Sequence, residues 1–260
     1  FQAEDGIRDT SSKIIRDLGF PLILVGDSAS MVIYGYKDTT PISTQEILFV
    51  LRAVVRGAPE PLIVADMPFL SYQPSSEEAI KNAGLFIKNG ANAVKLEGGV
   101  AHSDKISALV QSGIPVMGHV GLMPQSVNLT SGYKIQGKNE DEANKIIQDA
   151  LAVEKAGAFS IVLEGVPENL AKTITKKIKI PTVGIGSGPN CDGQIQVFHD
   201  LLGLDKCFNP KHSKKFINSY ELFFDALKNY KNDVESSKFP NKEHYVSLTS
   251  DVEKIITENN

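Results

Sequence analysis

The sequence predicts an α/β fold, a (β/α)8 barrel, from two repeated patterns. Short apolar runs rich in β-branched residues recur along the chain, and each ends in a polar or glycine-containing step before a helix-like segment. Unbroken apolar runs are typical of strands buried on both faces, as in parallel sheets. The runs cover residues 22–25, 62–64, 93–96, 116–117, 160–163, 182–185 and 194–198.

Glycines indicate where the intervening helices end. Gly19, Gly90, Gly113 and Gly157 each precede an apolar run by a few residues, and glycine readily adopts the left-handed conformation that closes a helix. Residues 142–157 carry apolar side chains at helical spacing, which predicts one of these helices. Because the polar steps follow the strands, we expect the active site at the carboxyl ends of the strands.

The two ends of the chain depart from this pattern. Residues 1–10 are too polar for a strand buried on both faces, so we interpret them as an atypical, non-native segment and the first barrel strand as missing. Residues 11–245 are predicted to form one barrel domain with C-terminal helices, and residues 246–260 a polar tail. Apolar residues between 216 and 230 predict a final helix packed on the barrel, with an oligomer contact as the alternative.

Composition excludes several classes of protein. The 260 residues are 42% hydrophobic and 22% charged, with a formal net charge of -4, which argues against a disordered chain. No basic patch suits a nucleic acid, and no apolar run approaches the ~20 residues of a membrane span. Cys191 and Cys207 lack a metal-binding or redox spacing and are interpreted as free thiols. We therefore predict a cytoplasmic protein without nucleic-acid or membrane partners.

Three carboxylates follow three successive apolar runs. They are Asp27, Asp66 and Glu97, which a barrel would bring to one rim. Carboxylates gathered in one place repel one another unless a cation neutralises them, and oxygen ligands of this kind suit Mg²⁺. The alternative is that the aspartates only cap the segments that follow.

Other polar residues extend this predicted site. Glu164 ends a further run, and Lys95 lies on the same strand face as Glu97. A buried lysine needs an anion, which would be either the rim carboxylates or a substrate carboxylate. His119 is a candidate general acid or hydrogen-bond donor to substrate, or a structural histidine. His199 is interpreted as a solvated or capping residue.

Several motifs resemble blocks of the ketopantoate hydroxymethyltransferase family, in the family order. The likeness extends over about residues 11–245 and is most specific between residues 118 and 137. The matching segments are 25–28 (VGDS), 65–69 (ADMPF), 94–99 (VKLEGG), 118–128 (GHVGLMPQSVN), 132–137 (GYKIQG), 192–194 (DGQ) and 199–203 (HDLLG).

The resemblance implies a metal site and a substrate site that overlap. Asp27 and Asp66 would bind Mg²⁺, with Glu97 at or near the metal. The metal would be chelated by 3-methyl-2-oxobutanoate, so the same aspartates help to bind the substrate. Ser28 and Lys95 would hold the substrate carboxylate.

The resemblance also implies the reaction. Glu164 would be the base that removes the proton next to the ketone, with Mg²⁺ stabilising the enolate and His119 lining the pocket. The enolate would attack the one-carbon unit of 5,10-methylenetetrahydrofolate and give 2-dehydropantoate, a precursor in pantothenate biosynthesis. Family members have a (β/α)8 barrel of the phosphoenolpyruvate/pyruvate-domain type and assemble as homo-oligomers, typically decamers.

Two alternatives stay open at this point. The first is a Mg²⁺-dependent enzyme related to phosphoenolpyruvate mutases or isocitrate lyases, which is disfavoured because neither Cys191 nor Cys207 follows a predicted strand. The second is a non-catalytic copy that has lost its N-terminal strand. The acidic residues that remain at all four strand ends argue against loss of the site.

Overall fold

The computed structural model describes residues 10–126, 134–206 and 210–250. The chain divides into two compact units, Phe1–Val197 and Phe198–Asn260, and each is described by itself. The single domain predicted for residues 11–245 stays a prediction.

The first unit is built on a seven-stranded parallel sheet whose strands are hydrogen-bonded in chain order. This arrangement confirms the predicted α/β fold with consecutive parallel strands. The strands are β1 (Leu22–Val25), β2 (Leu62–Asp66), β3 (Ala93–Lys95), β4 (Val116–Gly121), β5 (Ser160–Glu164), β6 (Thr182–Ile185) and β7 (Gly193–Gln194).

The last predicted strand was wrong in its extent. Only Gln194 of the run 194–198 lies in a strand, and Phe198 begins a short helix that contains His199. The backbone N–H of Thr182 donates to the Asp192 carboxylate at 2.8 Å rather than to a neighbouring strand. This contact lies at the N-terminal end of β7, where main-chain pairing with β6 begins at Val183. At the other end of β7, the Ile195 N–H donates to the Gly184 carbonyl oxygen at 3.0 Å, and the chain then enters the helix that begins at Phe198.

Helices connect the strands of the first unit, and the predicted helix between residues 142 and 157 is confirmed. Gly19, Gly90, Gly113 and Gly157 all have positive φ angles, as the helix-end prediction requires. The helices are α1 (Thr10–Asp17), α2 (Ala29–Val32), α3 (Thr44–Gly57), α4 (Ser76–Lys88), α5 (Ser103–Gln111), α6 (Glu140–Lys155) and α7 (Glu168–Lys177).

The start of the described chain is helical. Residue Thr10 begins α1, and no strand precedes β1 between residues 10 and 21. Residues 1–9, which carry most of the predicted non-native segment, lie outside the described residues. The sheet of the described chain accordingly has seven strands.

The second unit contains α8 (Phe198–Leu202) and α9 (Ser219–Glu235). The second of these confirms the helix predicted near the C-terminus, while its packing on the barrel stays a prediction. Its apolar side chains Phe223, Leu227 and Tyr230 are more than half exposed. None of the helices in the described ranges has the length and apolar character needed to cross a membrane.

The prediction of free thiols can be compared with the structure for one of the two cysteines. Cys191 is a free thiol, as predicted. Cys207 lies outside the described residues, as do residues 251–260 of the predicted polar tail.

Candidate active site

The candidate site is positioned by the alternation of side chains along the strands. Val64, Ala93, Met117 and Val162 form a small apolar cluster on one face of the sheet. Successive side chains of a strand point to opposite faces, so the residue two positions further along returns to the face of this cluster. The polar residues reached in this way are Asp66, Lys95, His119 and Glu164. Glu97 lies two positions beyond Lys95.

An ion pair between Lys95 and Asp66 lies at the centre of these residues. The two residues are register partners on β2 and β3, and Lys95 Nζ lies 2.8 and 2.7 Å from the two Asp66 carboxylate oxygens. Both side chains are buried. Burial opposes the charge on Lys95, but the Asp66 and Glu97 carboxylates outweigh it and raise its pKa. The lysine therefore stays protonated.

Asp27 brings a second buried carboxylate to the Asp66 side chain. Its backbone N–H donates to Asp66 Oδ2 at 3.2 Å, and its own Oδ2 accepts from Gln125 Nε2 at 2.9 Å. Burial, and then the negative charge of Asp66, raises the pKa of Asp27 to about 7. This carboxylate is therefore only partly ionised near neutral pH unless another cation joins the cluster.

Glu97 adds a third buried carboxylate. Burial raises the pKa of Glu97 well above its usual value and outweighs the opposing charge of Lys95. Its Oε2 accepts from the backbone N–H of Gln125 at 3.1 Å, whereas its Oε1 makes no hydrogen bond to any described residue. Lys95 Nζ is 3.9 Å from this Oε1, so one lysine faces three buried acids.

His119 lies between Glu97 and Glu164. Its Nδ1 is 3.7 Å from Glu97 Oε1 and its Nε2 is 3.3 Å from Glu164 Oε2. Neither nitrogen makes a well-directed hydrogen bond within the described residues, although the ring is almost fully buried. Burial and the charge of Lys95 lower the pKa of His119, so a neutral imidazole presents one donor and one acceptor here.

Glu164 is the most accessible acid of the site, with 15% of its side chain exposed. It ends β5 opposite Gly121 of β4. Gly121 has a φ of +98°, and a side chain there would overlap the Glu164 carbonyl oxygen and lie 2.7 Å from Val166 Cγ1. The close approach of these two strand ends therefore requires glycine.

Gly121→Ala is expected to lower the free energy of unfolding by about 1–3 kcal/mol, because alanine is strained at this φ and also meets Glu164 and Val166. Urea denaturation measures the change. Gly113→Ala is the matched control, since Gly113 also has a positive φ but faces open space. A Gly121 variant no less stable than the Gly113 variant would contradict the close-packing argument.

The structure therefore brings six of the predicted residues together. They are Asp27, Asp66, Lys95, Glu97, His119 and Glu164. Ser28 follows Asp27 and directly precedes α2, and its hydroxyl makes no hydrogen bond to this cluster among the described residues. His199 is half-buried on α8 in the second unit, and its solvated or capping role stays a prediction.

Two buried polar residues of the site were missed by the sequence analysis. Tyr72 OH lies 3.1 Å from the Glu97 carbonyl oxygen and 3.0 Å from Gln125 Oε1, and Gln125 touches both Asp27 and Glu97. Burial raises the pKa of Tyr72 well above its usual value, so it keeps its hydroxyl hydrogen. The feature of the sequence that could have indicated Gln125 was its position inside the motif at residues 118–128.

The charge balance of this cluster is suited to a divalent cation. Asp27, Asp66 and Glu97 face one lysine, the pKa values of Asp27 and Glu97 are raised, and Glu97 Oε1 has no hydrogen bond from the described residues. In the described part of the chain, no group of three His, Cys, Asp or Glu side chains is arranged to hold a metal ion by itself.

Comparison with known proteins identifies the family. The family model described as ketopantoate hydroxymethyltransferase matches residues 8–242. The chain belongs to the ketopantoate hydroxymethyltransferase family. A relative from Thermosipho melanesiensis, named 3-methyl-2-oxobutanoate hydroxymethyltransferase, is 54% identical over 90% of this chain and 89% of its own length. A relative of the same name from Clostridium kluyveri is 50% identical over 95% of this chain and 89% of its own length.

Solved structures place this member of the ketopantoate hydroxymethyltransferase family in a wider group of folds. A phosphonopyruvate hydrolase in complex with oxalate and Mg²⁺ aligns with a TM-score of 0.56 and 15% identity, over 96% of this chain and 87% of that one. A 2,3-dimethylmalate lyase of the phosphoenolpyruvate mutase/isocitrate lyase superfamily aligns with a TM-score of 0.55 and 12% identity, over 96% of this chain and 90% of that one. These likenesses confirm the predicted fold class.

Proposed function

We propose that this chain transfers a hydroxymethyl group from 5,10-methylenetetrahydrofolate to 3-methyl-2-oxobutanoate and forms 2-dehydropantoate. The observation that carries the proposal is the 54% identity, over 90% of the chain, to a relative named for this reaction. The buried acids, lysine and histidine at the carboxyl ends of the strands supply the chemistry that the reaction needs.

Asp27, Asp66 and Glu97 are the residues that would hold Mg²⁺. When all three carboxylates are ionised, their negative charge exceeds the positive charge of Lys95, and carboxylate oxygens are the ligands this ion prefers. Water and substrate oxygens would complete its coordination. When bound, the ion would supply positive charge to the ketone oxygen of the substrate.

Lys95, Ser28 and His119 would bind and orient the keto acid. The lysine is protonated and buried beside Asp66, so an incoming carboxylate meets a desolvated positive charge. The neutral His119 ring has no strong partner among the described residues and is free to hydrogen-bond a substrate oxygen. Ser28 retains the substrate-binding role expected from the resemblance.

Glu164 would act as the general base. It breaks the C–H bond at the branched carbon next to the ketone and takes the proton, while the electron pair moves toward the ketone oxygen to form an enolate. The enolate carbon then forms a bond to the methylene carbon of the folate. That methylene loses its bonds to the two folate nitrogens and water supplies the hydroxyl oxygen. The second proton of water and the proton held by Glu164 pass to the two nitrogens, and tetrahydrofolate leaves.

A homo-oligomer, a decamer in the form that the resemblance implies, is the proposed assembly. The exposed aromatic side chains Phe223, Phe224 and Tyr230 on α9 are suitable for such contacts. A cytoplasmic location stays a prediction.

The proposal is tested by proton NMR of the chain with 3-methyl-2-oxobutanoate in deuterated water, with Mg²⁺ and then with a chelator. Metal-dependent loss of the signal of the proton next to the ketone is expected, followed by 2-dehydropantoate when methylenetetrahydrofolate is added. A folded protein that catalyses neither step would contradict the proposal and favour the non-catalytic alternative. Proton exchange without formation of 2-dehydropantoate would contradict only the transfer of the one-carbon unit from the folate.

Asp27→Asn is expected to raise the Mg²⁺ concentration needed for half-maximal exchange by at least about 10-fold, because a neutral amide is a weaker ligand for a hard cation. This variant leaves the Lys95–Asp66 pair intact. Titration of the exchange rate with Mg²⁺ measures the effect. Asp38→Asn, whose carboxylate contacts Thr40 outside the site, is the control. An unchanged Mg²⁺ requirement in Asp27→Asn would exclude Asp27 as a ligand.

A further inference from the structure

Gln125 links strand ends that are far apart in the sequence. It lies in a short 3-10 turn, Pro124–Ser126, after β4, and is almost fully buried. Its Nε2 donates to Asp27 Oδ2 at 2.9 Å and to the Met67 carbonyl oxygen at 2.8 Å. One amide therefore connects the turn after β4 with the segments that follow β1 and β2.

The orientation of the Gln125 amide is fixed by its partners. The Nε2 group faces two acceptors, whereas Oε1 lies 3.0 Å from Tyr72 OH and 3.2 Å from Gln73 Nε2. Turning the amide over would place its oxygen against the Asp27 carboxylate and a carbonyl, and its NH₂ group against the Gln73 NH₂ group. Only one orientation satisfies all four contacts.

The backbone of Gln125 makes a separate contact with Glu97. Its N–H donates to Glu97 Oε2 at 3.1 Å, while Oε1 of the same carboxylate has no hydrogen bond from the described residues. The residue thus holds one oxygen of Asp27 and one oxygen of Glu97. These are two of the three carboxylates in the site.

We propose that Gln125 is a positioning residue that holds the Asp27 and Glu97 carboxylates in the orientation in which they bind the divalent cation. A carboxylate without such a donor rotates freely about its last bond, and ordering it costs free energy when the cation binds. This inference rests on the proposed function, because it takes Asp27 and Glu97 as residues that hold the ion.

The test is the affinity of the purified protein for Mn²⁺, measured from the free-ion signal in electron paramagnetic resonance without substrate. Gln125→Met keeps the length of the side chain and the backbone N–H but removes the amide. It is expected to weaken Mn²⁺ binding about 10- to 100-fold, as does the loss of other partners of metal ligands. At saturating Mg²⁺, its exchange rate should return to within a few-fold of the wild-type rate.

Gln73→Met is the matched control. Gln73 donates to Gln125 Oε1 but makes no hydrogen bond to Asp27 or Glu97 within the described residues, so its variant should bind Mn²⁺ within a few-fold of wild type. Gln125→Leu is the second variant, for the case in which Gln125→Met does not fold. It also removes the amide donor without adding a charge, and we expect it to weaken Mn²⁺ binding to a similar extent.

Each outcome is distinguishable. A folded Gln125 variant that binds Mn²⁺ as tightly as wild type, with lowered thermal stability alone, overturns the positioning role and leaves the proposed function intact. A wild-type protein that binds Mn²⁺ but catalyses neither exchange nor transfer overturns the proposed function, while the comparison of Mn²⁺ affinities still tests Gln125. A wild-type protein that binds no Mn²⁺ without substrate overturns the positioning role, while the exchange and transfer experiment still tests the proposed function.

Discussion

Glu164→Gln is expected to lower the rate of proton exchange at 3-methyl-2-oxobutanoate by about 100- to 10,000-fold, the usual contribution of a general base. Glutamine has nearly the same shape but cannot accept the proton. Because Glu164 is the acid of the site with the most exposed side chain, its loss should leave keto acid and Mg²⁺ binding nearly unchanged. Proton NMR in deuterated water measures the exchange, and calorimetric titration measures the binding.

The control for this variant is Glu60→Gln. Glu60 is an exposed residue just before β2, at the opposite end of the strand from the site, so this variant should exchange protons at the wild-type rate. Retained exchange in Glu164→Gln would assign the base to another group. Loss of both exchange and keto acid binding would show that Glu164 acts in binding rather than in proton removal.

The strand ends explain why most of the candidate site is predictable from sequence. In a parallel sheet the carboxyl ends of all strands reach one rim, and the two-residue period fixes which side chains share a face. Asp66, Lys95, His119 and Glu164 obey both rules, and Asp27 and Glu97 lie two positions beyond the last residue of their strands. The cluster therefore follows from local patterns alone.

Gln125 and β7 depend on contacts that no local pattern contains. Gln125 is 98 residues from Asp27 in the sequence, and its side chain reaches Asp27 from a turn rather than from a strand. The start of β7 lies beside the Asp192 carboxylate, which accepts the Thr182 N–H. In both cases a polar side chain replaces or redirects main-chain hydrogen bonds, and its partner becomes known only once the chain is folded.

Lys95→Met is expected to destabilise the protein by about 3–5 kcal/mol, the typical cost of removing one partner of a buried ion pair. The variant leaves Asp66 without the cation that lies 2.7 Å away and leaves Asp27 and Glu97 with no opposing charge from Lys95. Urea denaturation in the presence of a chelator measures the change. Lys81→Met is the control, because Lys81 forms an exposed pair with Glu78 at 3.5 Å and should change stability by less than about 1 kcal/mol.

The loss of stability in Lys95→Met should grow as the pH rises from 6 to 8. The pKa of Asp27 is already raised to about 7 with the lysine present, and removing Lys95 would raise it further. At pH 6 protons neutralise the buried acids at little cost. At pH 8 the folded variant must either bind these protons from a more dilute supply or bury unpaired negative charges, and both lower the free energy of unfolding. Adding Asp66→Asn to Lys95→Met removes one of these charges and should restore part of the stability. A destabilisation that is independent of pH and unaffected by Asp66→Asn would mean that Lys95 stabilises the fold through packing rather than through charge.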